Sequence, residues 1–194
     1  MELFKKITRY FLIALIVVGI IYYGFRLYQS KNHPFTAKLN CCSTTTHSGP
    51  IPWEEYFKDT IKIVQSQGTG YQIIGDIQNL PSDNADDYIS VAFLCDIHNN
   101  TFDNDATVME TMVDSVPDNS LFLFANSLDP VLIESKGNQQ HSCVIYIYKK
   151  SYTEEEIAEM LRNVSISVIC NANGKQYRVN VEGMEIIKNS DVKF

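Results

Sequence analysis

Asp96, His98, Asp103 and Asp105, with Asp83, Asp86 and Asp87 upstream, are the one gathering in this sequence of side chains that bind metals or move protons. Carboxylate oxygens near a strand end suit Ca²⁺, and His98 beside Asp96 would suit Zn²⁺. The spacing fits neither, because the D-x-D-x-D-G register of a calcium loop is missing. An acidic, solvated loop is therefore expected, and no metal ligand is assigned. Other chemistries lack their residues. There is no G-x-S-x-G nucleophile elbow, no His-Glu-x-x-His, and His33, His47, His98 and His141 are scattered. Gly68-Thr69-Gly70 follows a helical pattern and lacks the Lys of a phosphate-binding loop. No catalytic or cofactor-binding residue is assigned, no cofactor is expected, and the chain is read as a non-enzyme.

Cys41, Cys42, Cys95, Cys143 and Cys170 make an odd number without a C-x-x-C pair, which argues against a zinc or redox motif. Cys95, Cys143 and Cys170 sit among apolar neighbours and read as buried free thiols, a disulfide between two of them being the alternative. Cys41 and Cys42 read as exposed. Asn99-Asn100-Thr101 and Asn163-Val164-Ser165 have the form of glycosylation sequons.

Whatever these groups do, the N-terminus says where they are held. Lys5, Lys6 and Arg9 precede an apolar run over residues 10–25 that Arg26 closes. The run is shorter than the roughly 20 residues that span a bilayer core, but snorkelling Lys and Arg with interfacial Tyr10, Tyr22, Tyr23 and Tyr28 extend its reach. A cleaved signal would need small residues where Tyr22-Tyr23-Gly24-Phe25-Arg26 stand. The expectation is a retained single-pass signal anchor in the cell membrane over residues 1–28, with the N-terminus cytoplasmic and the bulk of the chain extracytoplasmic.

Charge narrows the partners. Of 16 basic and 23 acidic residues, residues 1–31 hold five basic and one acidic. The remainder, with eleven basic against twenty-two acidic residues, carries a net of −11. So acidic a domain lacks the Lys and Arg that neutralise nucleic-acid phosphates, so no nucleic-acid partner is expected.

Residues 29–52 turn to Ser, Thr, Asn, His, Gly and Pro and read as a polar stalk that buries nothing, leaving residues 53–194 as one acidic, β-rich globular domain with its own core. Trp53, Tyr56, Phe57, Ile61 and Val64 share a helical face, with Pro52 at its start and a Glu54–Lys58 pair. Period-two alternation then dominates: Tyr71, Ile73 and Ile77; Val91, Phe93, Cys95 and Ile97; residues 121–125; residues 144–148; Ile166, Val168 and Cys170; Tyr177, Val179 and Val181. Asn173-Gly174, within a five-residue connection over residues 171–175, marks a hairpin between the last two. Thr153 and Glu156 form a capping box for a second helix, with Tyr152 and Ile157 as its staple. Ala106, Met109, Met112 and Val113 suggest a third helix over residues 105–114, capped by Asp105. The expected fold is an N-terminal transmembrane helix plus a mixed, mainly antiparallel β domain, β-sandwich-like or α+β, with two or three short helices.

Three functions fit these features. The first is a membrane-anchored extracytoplasmic binding or accessory module acting through contacts with a protein partner. The second is a tethered immunity-like or inhibitory protein whose negative field suits a basic partner. The third is an enzyme or metal-dependent sensor using Asp96, His98 and Asp103.

Overall fold

A computed structural model of the chain describes residues 2–45, 50–66, 68 and 70–193. Helix α1 runs Glu2–Asn32, longer than its apolar core, and none of its most apolar stretch is buried. It is long and apolar enough to cross a membrane. Among the described residues nine strands follow, joined in one curled sheet: β1 (Phe35–Thr45), β2 (Tyr71–Ile73), β3 (Tyr88–Asn99), β4 (Ala106–Ser115), β5 (Phe122–Ser127), β6 (Val131–Ile133), β7 (Asn138–Tyr148), β8 (Ser165–Ala172) and β9 (Lys175–Glu182). Their order is β2-β5-β7-β3-β1-β9-β8-β4-β6, antiparallel everywhere except between β1 and β9. Helices α2 (Trp53–Gln65) and α3 (Glu154–Arg162) complete the domain.

The expected stalk over residues 29–52 is a correction. Residues 29–32 continue α1, only His33 and Pro34 separate it from β1, and β1 lies at the centre of the sheet. Phe35, Ala37, Leu39 and Cys42 are buried in the main core, so the boundary at residue 53 cuts through one folded unit. Composition concealed this strand because its outward half, Thr36, Lys38 and Asn40, is polar, and because a bulge between Leu39 and Cys41 shifts the alternation from odd to even residues. Residues 46–49 of the expected stalk, and Thr69 of the expected helix stop, lie outside the described residues.

The helix expected over residues 105–114 is strand β4. Ala106, Val108, Thr111 and Val113 are its buried positions, and bulges after Val108 and Val113 break the period. Two phases of alternation joined by a bulge mimic a spacing of three and four, while Thr107, Val108, Thr111 and Val113 favour a strand. The strand expected at Tyr71, Ile73 and Ile77 ends at Ile73, because Asp76 accepts the backbone N–H groups of Gln78 and Asn79 and turns the chain.

Other local signals hold as read. Thr153 and Glu156 exchange the two bonds of a capping box. The hairpin at Asn173-Gly174 forms, but its connection is two residues and not five: Asn173 and Gly174 take φ of 52° and 71°, the left-handed pair of a type I′ turn, and Asn171, Ala172 and Lys175 are already paired. Glu54 and Lys58 pair at 2.6 Å. On α2, Phe57, Ile61 and Val64 pack with Tyr88, Phe124 and Tyr146 on the outer face of the sheet, and Trp53 donates to the Ala85 carbonyl at 2.9 Å. The inner face, with Ile157, Ala158 and Leu161 of α3, forms the larger core.

The curl brings β4 toward the β2–β5 edge, and side chains seal the seam. The Gln72 amide receives the Val113 N–H at 2.8 Å and donates back to the Val113 carbonyl, as a neighbouring strand would. Ser127 Oγ accepts the Thr111 N–H at 2.8 Å.

Candidate functional site

The residues that looked chemically able do not assemble. Asp96 accepts from Asn40 at 2.7 Å and from Gln140 at 2.9 Å on the open outer face of β1, β3 and β7. His98 Nδ1 meets the Asn138 amide oxygen at 2.7 Å, and Asp105 accepts the Ser135 N–H at 2.9 Å. Asp103 is exposed. Asp87 is buried, and the Ser82 hydroxyl and the Lys150 ammonium hold its carboxyl below the usual carboxylate range. Each of these bonds ties a loop or an adjacent strand. Among the described residues, no three His, Cys, Asp or Glu side chains come together to hold a metal ion.

All five cysteines are free, and only Cys41 is exposed. Burial pushes the thiols of Cys42, Cys95, Cys143 and Cys170 up to about 12, far from the thiolate that reactivity requires. The expectation that Cys42 is exposed is thus corrected by its place on the inward face of β1. Asn99 is also fully buried, its amide donating to Asn104 and Ile133 carbonyls, so the first sequon is a structural asparagine.

Sequence reading missed the place where the sheet is incomplete. Strands β1 and β9 run parallel but are bonded only at Ala37–Val181 and Lys38–Glu182. On one side of this short ladder, Gly183 at φ 92° turns the chain out of β9, and the C-terminal segment crosses β1, where the Lys193 N–H reaches Thr44 Oγ1 at 3.3 Å. On the other side the strands part around a cleft of about 380 Å³ next to the end of α1. His33, Pro34, Phe35 and Thr36 form one wall, and Tyr177, Arg178, Val179 and Asn180 the other.

Ladder phase determines which backbone groups face this cleft. The Asn100 N–H donates to the Pro34 carbonyl, so Thr36 and Lys38 bond to β3 while Phe35 and Ala37 turn their groups the other way. Across the cleft, the two-residue hairpin bonds Lys175, Tyr177 and Val179 to β8, so Arg178 and Asn180 turn away from it. Beyond the short ladder, the N–H and C=O of Phe35 and Arg178, and the N–H of Asn180, therefore point into the cleft.

Side chains give the cleft an apolar floor and a charged rim. The Phe35 and Tyr177 rings meet at 5.3 Å, and Lys175 Nζ lies 5.1 Å from the Tyr177 centroid. Arg178 is held to one side: its Nε–H donates to Ser167 Oγ at 3.0 Å, and it pairs with Asp114. A sequence signal for this place existed only in part, in the alternation of Tyr177, Val179 and Val181 on β9. Compared with protein-family models and with the curated proteins, the chain finds no match.

Proposed function

We propose that this protein is a membrane-anchored, non-catalytic binding module that takes an extended segment of a protein partner between β1 and β9. The supporting observation is the pair of unpaired strand edges facing one another across the cleft. Peptide groups at an open strand edge have only water as a partner, and an inserted strand supplies both donors and acceptors. Because β1 and β9 are parallel, a strand running antiparallel to both would bond each by the stronger pattern. Helix α1 would insert as a single-pass anchor with its N-terminus cytoplasmic and the domain outside, following the excess of Lys5, Lys6 and Arg9 over Arg26 and Lys31.

A photo-crosslinking residue at Thr36, in the cleft, tests the reading in intact cells against the same residue at Gln140, on the outer face. Capture of one defined partner peptide at Thr36, absent at Gln140, is expected. Asn180→Pro should abolish it, because proline removes a cleft-facing N–H while sparing the bonds to β8. Equal labelling at both positions, or capture indifferent to Asn180→Pro, would dismiss the cleft.

A further inference from the structure

The β domain is clamped to α1 on the side that faces back along the helix. Asn100 donates its backbone N–H to the Pro34 carbonyl at 2.7 Å and its side-chain amide to the His33 carbonyl at 2.9 Å, bonding both residues of the joint to the end of β3. The loop that follows then reaches past the joint. The Phe102 ring lies 5.9 Å from that of Tyr23, nine positions before the last residue of α1. At 1.5 Å per residue that is about 14 Å back along the helix. Lys136 Nζ stands 4.2 Å from the Phe102 centroid.

Tyr23 belongs to the apolar run of residues 10–25, two positions before its end. If that run occupies the hydrocarbon layer, Phe102 is level with its last turn. An aromatic ring with an ammonium group over it, at that depth and against Tyr23 of a helix that also carries Tyr22 and Tyr28, has the composition of a membrane-interface belt. Asp103 and Asp105 on the same loop oppose an anionic surface, so the match is to zwitterionic headgroups.

We propose that Phe102 and Lys136 form a second membrane contact, seating the β domain directly on a zwitterionic bilayer surface. The inference rests on the insertion of α1 proposed above. Seating would hold the β1–β9 cleft, whose wall begins at Asn32, close to the lipid surface and within reach of partner segments that emerge from the membrane.

The full chain in phosphatidylcholine vesicles, with Trp53→Phe to remove its one tryptophan, tests this by brominated-lipid quenching of Phe102→Trp, with Phe11→Trp as the reporter of α1 insertion. Both tryptophans should be quenched at least two-fold, Trp at 102 most strongly by bromines near the headgroups. Quenching at 11 without quenching at 102 overturns the seating and leaves the anchor standing. Absence of quenching at both overturns the anchor and the seating together. A nitroxide on Asp103→Cys, with Cys41→Ser, gives an independent reading: greater collision with dissolved oxygen than with a water-soluble nickel chelate supports seating, and the reverse refutes it.

Discussion

His141 Nδ1 and Thr111 Oγ1 face each other at 2.8 Å, joining β7 to β4 across the interior of the curled sheet. The other ring nitrogen meets the Asp129 carbonyl at 3.1 Å, so a neutral imidazole that accepts from Thr111 and donates to Asp129 satisfies every group. The ring is 1 % exposed. Burial lowers its affinity for a proton below that of an ordinary histidine, although the Asp129 and Leu128 carbonyls partly oppose this.

Acid should therefore loosen this junction. The unfolded chain binds the proton more readily, so the contribution is fully present above the ordinary value of 6.5 and is lost as pH falls from there through the depressed folded value. The urea midpoint should fall between pH 7.5 and 5.5. His141→Asn should be less stable by about 1–3 kcal/mol at pH 7.5 and should lose most of that slope. An unchanged slope would assign the effect elsewhere.

The place of β1 at the centre of the sheet predicts how truncation behaves. A chain beginning at Ile51 loses Phe35, Ala37, Leu39 and Cys42 from the core and leaves β3 with an open edge, so it should aggregate or melt without cooperativity. A chain beginning at His33 keeps the strand and should show a sharp thermal transition. Circular dichroism of the two decides it.

Thiol labelling should separate the cysteines by burial. Cys41 should react with a bulky maleimide within minutes in the folded protein, while Cys42, Cys95, Cys143 and Cys170 should react only on denaturation. Intact mass before and after adding guanidinium gives the count. Rapid modification at Cys42 would place the bulge of β1 elsewhere.

Gln72 stands in for a strand at the seam, so Gln72→Ala should leave the Val113 N–H and C=O without their partner. The expected loss is roughly 1–3 kcal/mol. Amide exchange at Val113 should quicken accordingly, while exchange across β3 and β7 should change only as far as global stability does.

Thr153→Ala should remove the capping-box bond to the Glu156 N–H, for about 1 kcal/mol. A thermal melt of the full chain measures it, and a loss below 0.3 kcal/mol would mean that α3 is held by packing alone.

What the sequence by itself determined was local. Thr153 and Glu156 specify a helix start because both bonds close within four residues, and Asn173-Gly174 specifies a tight turn because both residues adopt left-handed backbone readily. The apolar run of residues 10–25 likewise declares itself by length and composition. The regular alternation of Val91, Phe93, Cys95 and Ile97 gave β3 without help from any partner. Tertiary structure decided the rest. Bulges at Asn40 and after Val108 change which residues point inward, and a shift of phase is chosen by pairing with β3 and β8, not by the strand itself. The cleft lay beyond sequence reading altogether. It exists because β1 and β9 pair at just two residues each and part on the side toward α1, a relation between segments some 140 positions apart that no local spacing encodes.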